Sequence, residues 1–245
     1  GELDRTDVPA GQYPSLHEQY PEQAVSVPNL CTYYYNVNLT ETGNPALQDV
    51  RVREALALAI DRDVIVNNVL AGGQVPAYSL THWAVADWEV PSVDYAGWTQ
   101  AERDARAVEL MAEAGYGNGG APLSVDILFN TSEAHQSIAV AIGQMWKQKL
   151  GIDTTLANQE WQTFLTARGE QDYQVARAGW CADYNEASSF LDIMQSSSGY
   201  NDSKYANEEY DAHMLAARSA ADSLADYQAA EALIQRDFPI LPIYF

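Results

Sequence analysis

The sequence predicts a mixed α/β fold, and three observations point to it. Helical amphipathic stretches alternate along the chain with short β-prone runs. The stretch from Leu123 to Ala157 reads strand, helix, strand: a βαβ unit whose crossover should be right-handed. The 245 residues are 47% hydrophobic and 11% aromatic, enough to bury a sizeable core, which excludes a disordered chain.

The first thirty residues carry Pro9, Pro14, Pro21 and Pro28 and show no strong periodicity, though Val25-Ser26-Val27 reads as a short strand. Leu30 to Asn38 is aromatic and β-prone, so a strand is expected there. Asp49 reads as an N-cap for a helix in which Val52, Ala55, Leu56, Ala59 and Ile60 recur at helical spacing. Asp61 restarts a short helix through Leu70, which Gly72-Gly73 should stop. Residues 74–98 read as irregular. Thr99-Gln100-Ala101-Glu102 has the form of a capping box, opening a helix to Ala114 with Gly115 at C′. Leu123, Val125, Ile127 and Phe129 alternate with polar residues, as in a strand with one buried face. Ser132 then caps a helix from Glu133 to Leu150, ended by Gly151. A second strand covers Ile152 to Ala157. A short helix spans Gln159 to Arg168, and a third strand Tyr173 to Ala178 enters the run from Gly179 to Asn185. Helices follow at Ala187 to Met194, Glu208 to Ala221 and Ala225 to Asp237, and the last strand is Ile240 to Phe245.

Charge narrows the function classes. Thirteen Lys and Arg against 34 Asp and Glu leave a net charge of −21. That repels phosphate backbones and anionic lipid, so neither nucleic acid nor a membrane surface is an expected partner. No apolar run approaches the ~18 residues of a membrane helix, so direct membrane insertion is not expected. Acidic residues spread along the whole chain, with Lys scarce, read as surface solvation such as a salt-tolerant source would use. The chain opens at Gly1 without Met or a signal-peptide pattern and stops inside the apolar run ending at Phe245, so a piece of a longer protein is expected.

Signatures of catalysis and cofactor binding are not readable. The sequence has no GxSxG, P-loop, GxGxxG, HExxH or EF-hand pattern, and the four His are far apart. No catalytic residue, cofactor or metal is therefore expected. The Gly-rich run from Gly115 to Gly120 follows a helix and precedes a strand, the reverse of a phosphate cradle, so it reads as a turn. Cys31 and Cys181 are the only cysteines: either two buried thiols or one disulfide, the latter implying an oxidising compartment. His135, in the first turn of a helix, is a solvated histidine or an anion contact. Arg168 and Arg177 lie at strand–helix connections, where α/β sheets place ligands, or serve as partners for surface acids. Asp183, within the aromatic run from Trp180 to Tyr184, is a turn residue or a carboxylate offered to a cation.

The run Arg177-Ala178-Gly179-Trp180-Cys181-Ala182-Asp183-Tyr184-Asn185-Glu186 resembles a signature of the periplasmic oligopeptide-binding proteins of bacterial ABC importers, extracellular solute-binding proteins of family 5. Leu30-Cys31-Thr32-Tyr33-Tyr34-Tyr35 and Asp49-Val50-Arg51-Val52-Arg53-Glu54-Ala55-Leu56 with Ala59-Ile60-Asp61-Arg62 are similar to two more. Asn130-Thr131-Ser132-Glu133-Ala134-His135 and Asn158-Gln159-Glu160-Trp161 also fit. The resemblance runs from Gly1 to Phe245. It implies a periplasmic-binding-protein-like lobe with a mixed sheet flanked by helices, the C-terminal lobe or domain III at 31–245. Residues 1–30 would be a remnant of domain I, and the last strand would return towards domain I.

The function implied is that of a non-catalytic, periplasmic, monomeric receptor. It would hold extended oligopeptides between two lobes by main-chain hydrogen bonds and terminal ion pairs, and deliver them to a membrane permease. Carried over by residue, Asp183 would pair with the peptide α-ammonium, and Arg168, Arg177 and His135 would meet its carboxylate. Trp161, Trp180 and Asn130 would line side-chain pockets, the Cys181 backbone would join the strand-like contacts, and Cys31 would be bonded to Cys181. Two departures bear on specificity: Asn36 stands where relatives often have Glu, and Leu70 lies near where some carry Lys. The competing functions are a receptor for a dipeptide, a murein peptide or an opine, and a peptidase acting on the same ligand.

Overall fold

The computed structural model describes residues 4–245. A five-stranded mixed sheet organises the chain, in the order β3-β2-β4-β1-β5. Its strands are β1 Cys31–Val37, β2 Ser124–Asn130, β3 Asp153–Gln159, β4 Val175–Cys181 and β5 Ile240–Tyr244. β2 runs parallel to both β3 and β4, as the βαβ reading requires, whereas β1 is antiparallel to β4 and β5. β5 sits at the sheet edge beside β1, with Ile240 opposite Asn36.

The helices are α1 Tyr13–Gln19, α2 Val50–Ala59, α3 Arg62–Val64, α4 Asp94–Gly97, α5 Gln100–Glu113, α6 Glu133–Leu150, α7 Trp161–Gly169, α8 Ser188–Leu191, α9 Glu208–Ala217 and α10 Leu224–Asp237. They form two layers. One face of the sheet buries Tyr33, Tyr35, Val125, Ile127 and Phe129 against Leu56 of α2, Leu110 of α5 and Trp146 of α6. The Trp146 indole donates to the Leu56 carbonyl (3.0 Å), so this large ring is buried without an orphaned N–H. The other face packs Tyr34, Ala178 and Ile240 against Phe190, Tyr210, Met214 and Ile234, while Leu128 and Ala176 meet Phe164 and Ala167 of α7.

Local signals explain several element ends. Thr99 and Glu102 form the reciprocal capping box at α5. The Asp49 side chain accepts from the Arg51 N–H at α2. Gly151 ends α6 in the left-handed region at φ +72°, which glycine adopts without a Cβ clash. Elsewhere the structure differs from expectation. No strand forms at Val25–Val27; both valines are exposed, and no described strand pairs with them. α1 lies where no periodicity was readable. It is short and buries no residue, so it has no apolar stripe to show. After α3 the chain widens into a π-helical turn, Ile65–Leu70, and Ala71 rather than Gly72 takes the left-handed position. Ser132 occupies the N-cap position of α6 without a side-chain cap bond. α9 ends at Ala217 rather than Ala221, and β4 extends to Cys181.

The segment 74–98, expected to be irregular throughout, contains the short helix α4 near its end, and the rest of it is irregular and held in place. On α10, Gln228, Glu231 and Gln235 are spaced to share one face. Gln228 donates to the Glu89 carbonyl, Glu231 accepts the Leu80 and Thr81 N–H groups, and Gln235 donates to the Tyr78 and Pro91 carbonyls. This polar stripe supplies the partners that backbone outside a helix or sheet requires. Among the described residues, no helix is long and apolar enough to cross a membrane.

Candidate functional site

β2 and β4 are parallel, so Asn130 and Cys181 end their strands on the same side of the sheet. Open α/β sheets form their ligand crevices beyond such carboxyl ends. β1 starts on that side. Its register places Cys31 opposite Cys181, Tyr33 opposite Gly179 and Tyr35 opposite Arg177. Strand alternation then puts Tyr33 and Arg177 on one face. A cleft of about 640 Å³ opens there, bounded by Tyr33, Arg177, Trp180, Cys181, Trp83 and Tyr244.

The Cys31–Cys181 disulfide closes the end of the β1–β4 pair, with the two Cα atoms 4.0 Å apart. The adjacent Ala182 N–H donates to the Leu30 carbonyl (2.8 Å), so the pairing continues past the bond. The cross-link ties the strand carrying Tyr33 to the strand carrying Arg177.

Arg177 is the notable cation. Its guanidinium lies over the Tyr33 ring, 4.9 Å from the centroid, and makes one long contact of 3.5 Å to Asn130 Oδ1. Its Nε is buried and has no hydrogen-bond partner among the described residues. It forms no ion pair there either, although acidic residues outnumber basic ones 34 to 13. A half-buried cation left in that state offers its unused donors to an anion. His135, in the first turn of α6, brings its Nδ1 within 3.2 Å of the Tyr33 hydroxyl. Burial, reinforced by the Arg177 charge, pushes the imidazole down to about 4. The ring is therefore neutral at pH 7 and offers a hydrogen bond, not the charge that an anion contact suggested. Burial holds the Tyr33 phenol well above its usual range, so it stays protonated.

The other expected residues fall in different places. Trp180 lines the cleft, with its indole N–H donating to the Ser189 carbonyl (2.5 Å) and its ring edge-on to Tyr200. Asp183 lies two residues beyond β4. Its N–H donates to Ser189 Oγ (2.9 Å), and its exposed carboxylate has no hydrogen bond or ion pair among the described residues. Trp161 opens α7 just past the end of β3, 44% exposed and stacked on Phe164. Arg168, in the last turn of α7, is already matched: its Nε and Nη2 both meet Asp202 Oδ2, and the Tyr173 hydroxyl donates to the Asp202 carbonyl. Asn36 is buried on the far face of the sheet, where its Oδ1 accepts from Ser203 Oγ. Leu70 is buried, and its carbonyl accepts the Gly11 N–H.

Sequence reasoning did not single out Tyr33, Tyr244 or Trp83 as site residues. The signal for Tyr33 is its strand parity with Arg177, which becomes visible only once the β1–β4 register is known. Among the described residues, no group of three His, Cys, Asp or Glu is placed to hold a metal ion.

The fold and this crevice define one lobe of the periplasmic-binding class, a mixed sheet between helical layers with a cleft at the strand ends. The family model for bacterial extracellular solute-binding proteins, family 5 Middle, matches residues 1–202, and the chain belongs to that family. It is 40% identical over 250 residues to the periplasmic oligopeptide-binding protein OppA of Escherichia coli, covering all of this chain and 45% of that protein. It is also 40% identical over 249 residues to the periplasmic murein peptide-binding protein MppA of Escherichia coli, again covering 45% of it. Among solved structures, the murein tripeptide binding protein MppA of Escherichia coli superposes with a TM-score of 0.92 at 38% identity, over 96% of this chain and 46% of that one. Haemophilus influenzae OppA in complex with the peptide RPPGFSPFR gives 0.88 at 36%, over 97% and 47%. The chain thus spans about half the length of the relatives it matches.

Proposed function

We propose that this chain is the C-terminal lobe, domain III at 31–245 with a remnant of domain I at 1–30, of a two-lobed periplasmic peptide receptor. The receptor is a non-catalytic monomer that hands its ligand to the permease of an ABC importer. The observation carrying this reading is a pair of charges at the strand ends that are unspent among the described residues: Arg177, with a buried Nε lacking a partner, and Asp183, with an exposed and unpaired carboxylate. A zwitterionic peptide presents the complementary pair, and its backbone can extend the strand-like contacts near Cys181. Asn130, Trp161 and Trp180 line the side-chain pockets in this reading, and His135 assists Arg177. Arg168 reaches a ligand carboxylate only by releasing Asp202, so we place it behind Arg177 in importance.

A murein peptide is the second ligand considered, because the chain is as close to the murein-peptide binder as to the oligopeptide binder. It too is a peptide with free carboxylates, and the lobe's chemistry serves both.

Calorimetry on the two-lobed protein with trialanine tests the reading. In a closed cleft the α-ammonium loses water and requires a carboxylate. Removing one partner of such a pair costs about 2–5 kcal/mol. Asp183→Asn is therefore expected to weaken trialanine binding about thirtyfold or more. N-acetyl-trialanine, which lacks the cation, should bind wild type poorly and lose little further in the variant. Unchanged affinity of Asp183→Asn for trialanine would remove Asp183 from the site.

A further inference from the structure

We infer that Tyr33 is the positioning residue of the proposed carboxylate site, holding the Arg177 guanidinium and the His135 imidazole to one anion-facing surface. The inference rests on the peptide-binding reading above and deepens it. Arg177 comes from β4 and His135 from α6, and no hydrogen bond joins them directly. Both touch Tyr33: the guanidinium over its ring at 4.9 Å, the imidazole at its hydroxyl at 3.2 Å. The ring itself is immobilised. Tyr244 of β5 stacks on it at 4.7 Å and 13°, and a stacked ring and a cation cannot share one face, so Tyr33 is clamped between them. It is 5% exposed and sits beside the disulfide that fixes β1 to β4.

The division of labour follows from chemistry. Arg177 supplies fixed charge, and the ring face holds the guanidinium plane without consuming its N–H donors. The hydroxyl occupies Nδ1 of His135, which leaves Nε2 as the free nitrogen of that ring. A carboxylate has two oxygens and can accept from the guanidinium and the imidazole at once. Without Tyr33 the two side chains would have no common anchor.

The test uses the two-lobed protein with trialanine and its C-terminal amide, which keeps the length but removes the carboxylate. Tyr33→Phe retains the ring under Arg177 and deletes only the contact to His135. The acid is expected to bind about fivefold more weakly, the value of one hydrogen bond, with the amide unchanged. In the same variant the tautomer-reporting ¹⁵N shifts of His135 should move, a readout that general loosening of the lobe does not produce. In a His135→Gln background, adding Tyr33→Phe should cost the acid-to-amide ratio nothing further. Tyr33→Leu, which also removes the ring, should lower the ratio more than Tyr33→Phe does. A wild-type acid preference that survives Tyr33→Phe at full size overturns the proposal alone, as does an undiminished Tyr33→Phe effect in the His135→Gln background. Equal affinity of wild type for acid and amide overturns the carboxylate reading, and the proposal with it.

Discussion

Two guanidiniums in this chain face opposite fates, and the contrast separates architecture from recognition. Arg62 is fully enclosed at the start of α3. Its Nε donates to the Ala77 and Pro242 carbonyls, its Nη1 to the Ala57 and Ile60 carbonyls, and its plane lies over Tyr78. Every one of those partners belongs to the fold, and together they tie α2, the irregular segment and β5 into one body. The Glu231 carboxylate does the same with opposite sign, taking two backbone N–H groups of that segment. At the strand-end cleft the accounting is incomplete. Among the described residues, Arg177 keeps a buried Nε without a partner, and Asp183, just past the end of β4, keeps a bare carboxylate. Burial of a polar group therefore does not identify a site; what marks Arg177 is that a charged group beside a cleft has an unfinished set of partners, whereas the other buried atoms without partners, such as Asn36 Nδ2 and Gln235 Oε1, are uncharged.

That contrast can be broken by making the same substitution in both places. Arg62→Met removes the donor to four backbone carbonyls that have no water to turn to. Each orphaned carbonyl costs about 1–3 kcal/mol, so a loss of about 3 kcal/mol or more is expected from urea unfolding, allowing for partial relaxation and for relief of the buried charge. Peptide affinity of the molecules that remain folded should be unaltered. Arg177→Met should reverse the pattern. It abandons one 3.5 Å contact and the place over the Tyr33 ring but also removes an unsatisfied N–H, so the stability loss should be about 1 kcal/mol or less, well below that of Arg62→Met. In the two-lobed protein, trialanine binding should weaken about thirtyfold as the buried carboxylate loses its counter-charge. Equal stability losses in the two variants would erase the distinction.

How far the sequence foretold this depends on the range of each interaction. Features written within one turn or one strand were legible: the capping box at Thr99, the glycine at Gly151, the alternation from Leu123 to Phe129, the βαβ order. Arg177, His135 and the cysteine pair were candidates from their positions alone, and resemblance to a known family chose between their open readings; the structure brings them to one corner. What stayed hidden depends on non-local register. Tyr33 faces Arg177 because residues 31 and 181 are opposite in the sheet, a pairing across 150 positions that no local pattern encodes. The Arg168–Asp202 pair is hidden for the same reason: it joins α7 to a loop in a chain with abundant acids, none of which is marked in advance as the partner. Ala71 in the left-handed region, beside two glycines better suited to it, reflects the π-helical turn before it rather than propensity.

The smallest expected effect sharpens the comparison by using pH in place of mutation. In the folded lobe His135 is pushed from 6.5 down to about 4, first by burial and then by the Arg177 charge. Between those values the unfolded chain binds a proton that the folded lobe refuses. Stability must then rise with pH across that window, being fully present above about 6.5 and lost as pH falls towards 4. The ring keeps a solvent-facing side that screens it, so the loss should be about 1 kcal/mol or less. Carboxylates titrate nearby and mask so small a change, so the informative quantity is the stability of wild type minus that of His135→Gln. That difference should fall as pH drops from 6.5 to 4.5 in low-salt thermal melts. It should shrink in Arg177→Met, where the repelling charge is gone, and be untouched by Arg62→Met, whose guanidinium belongs to the other side of the comparison. A difference that stays flat with pH would mean that the imidazole is as well solvated in the lobe as in the unfolded chain, and the corner formed by Tyr33, His135 and Arg177 would then be open rather than closed.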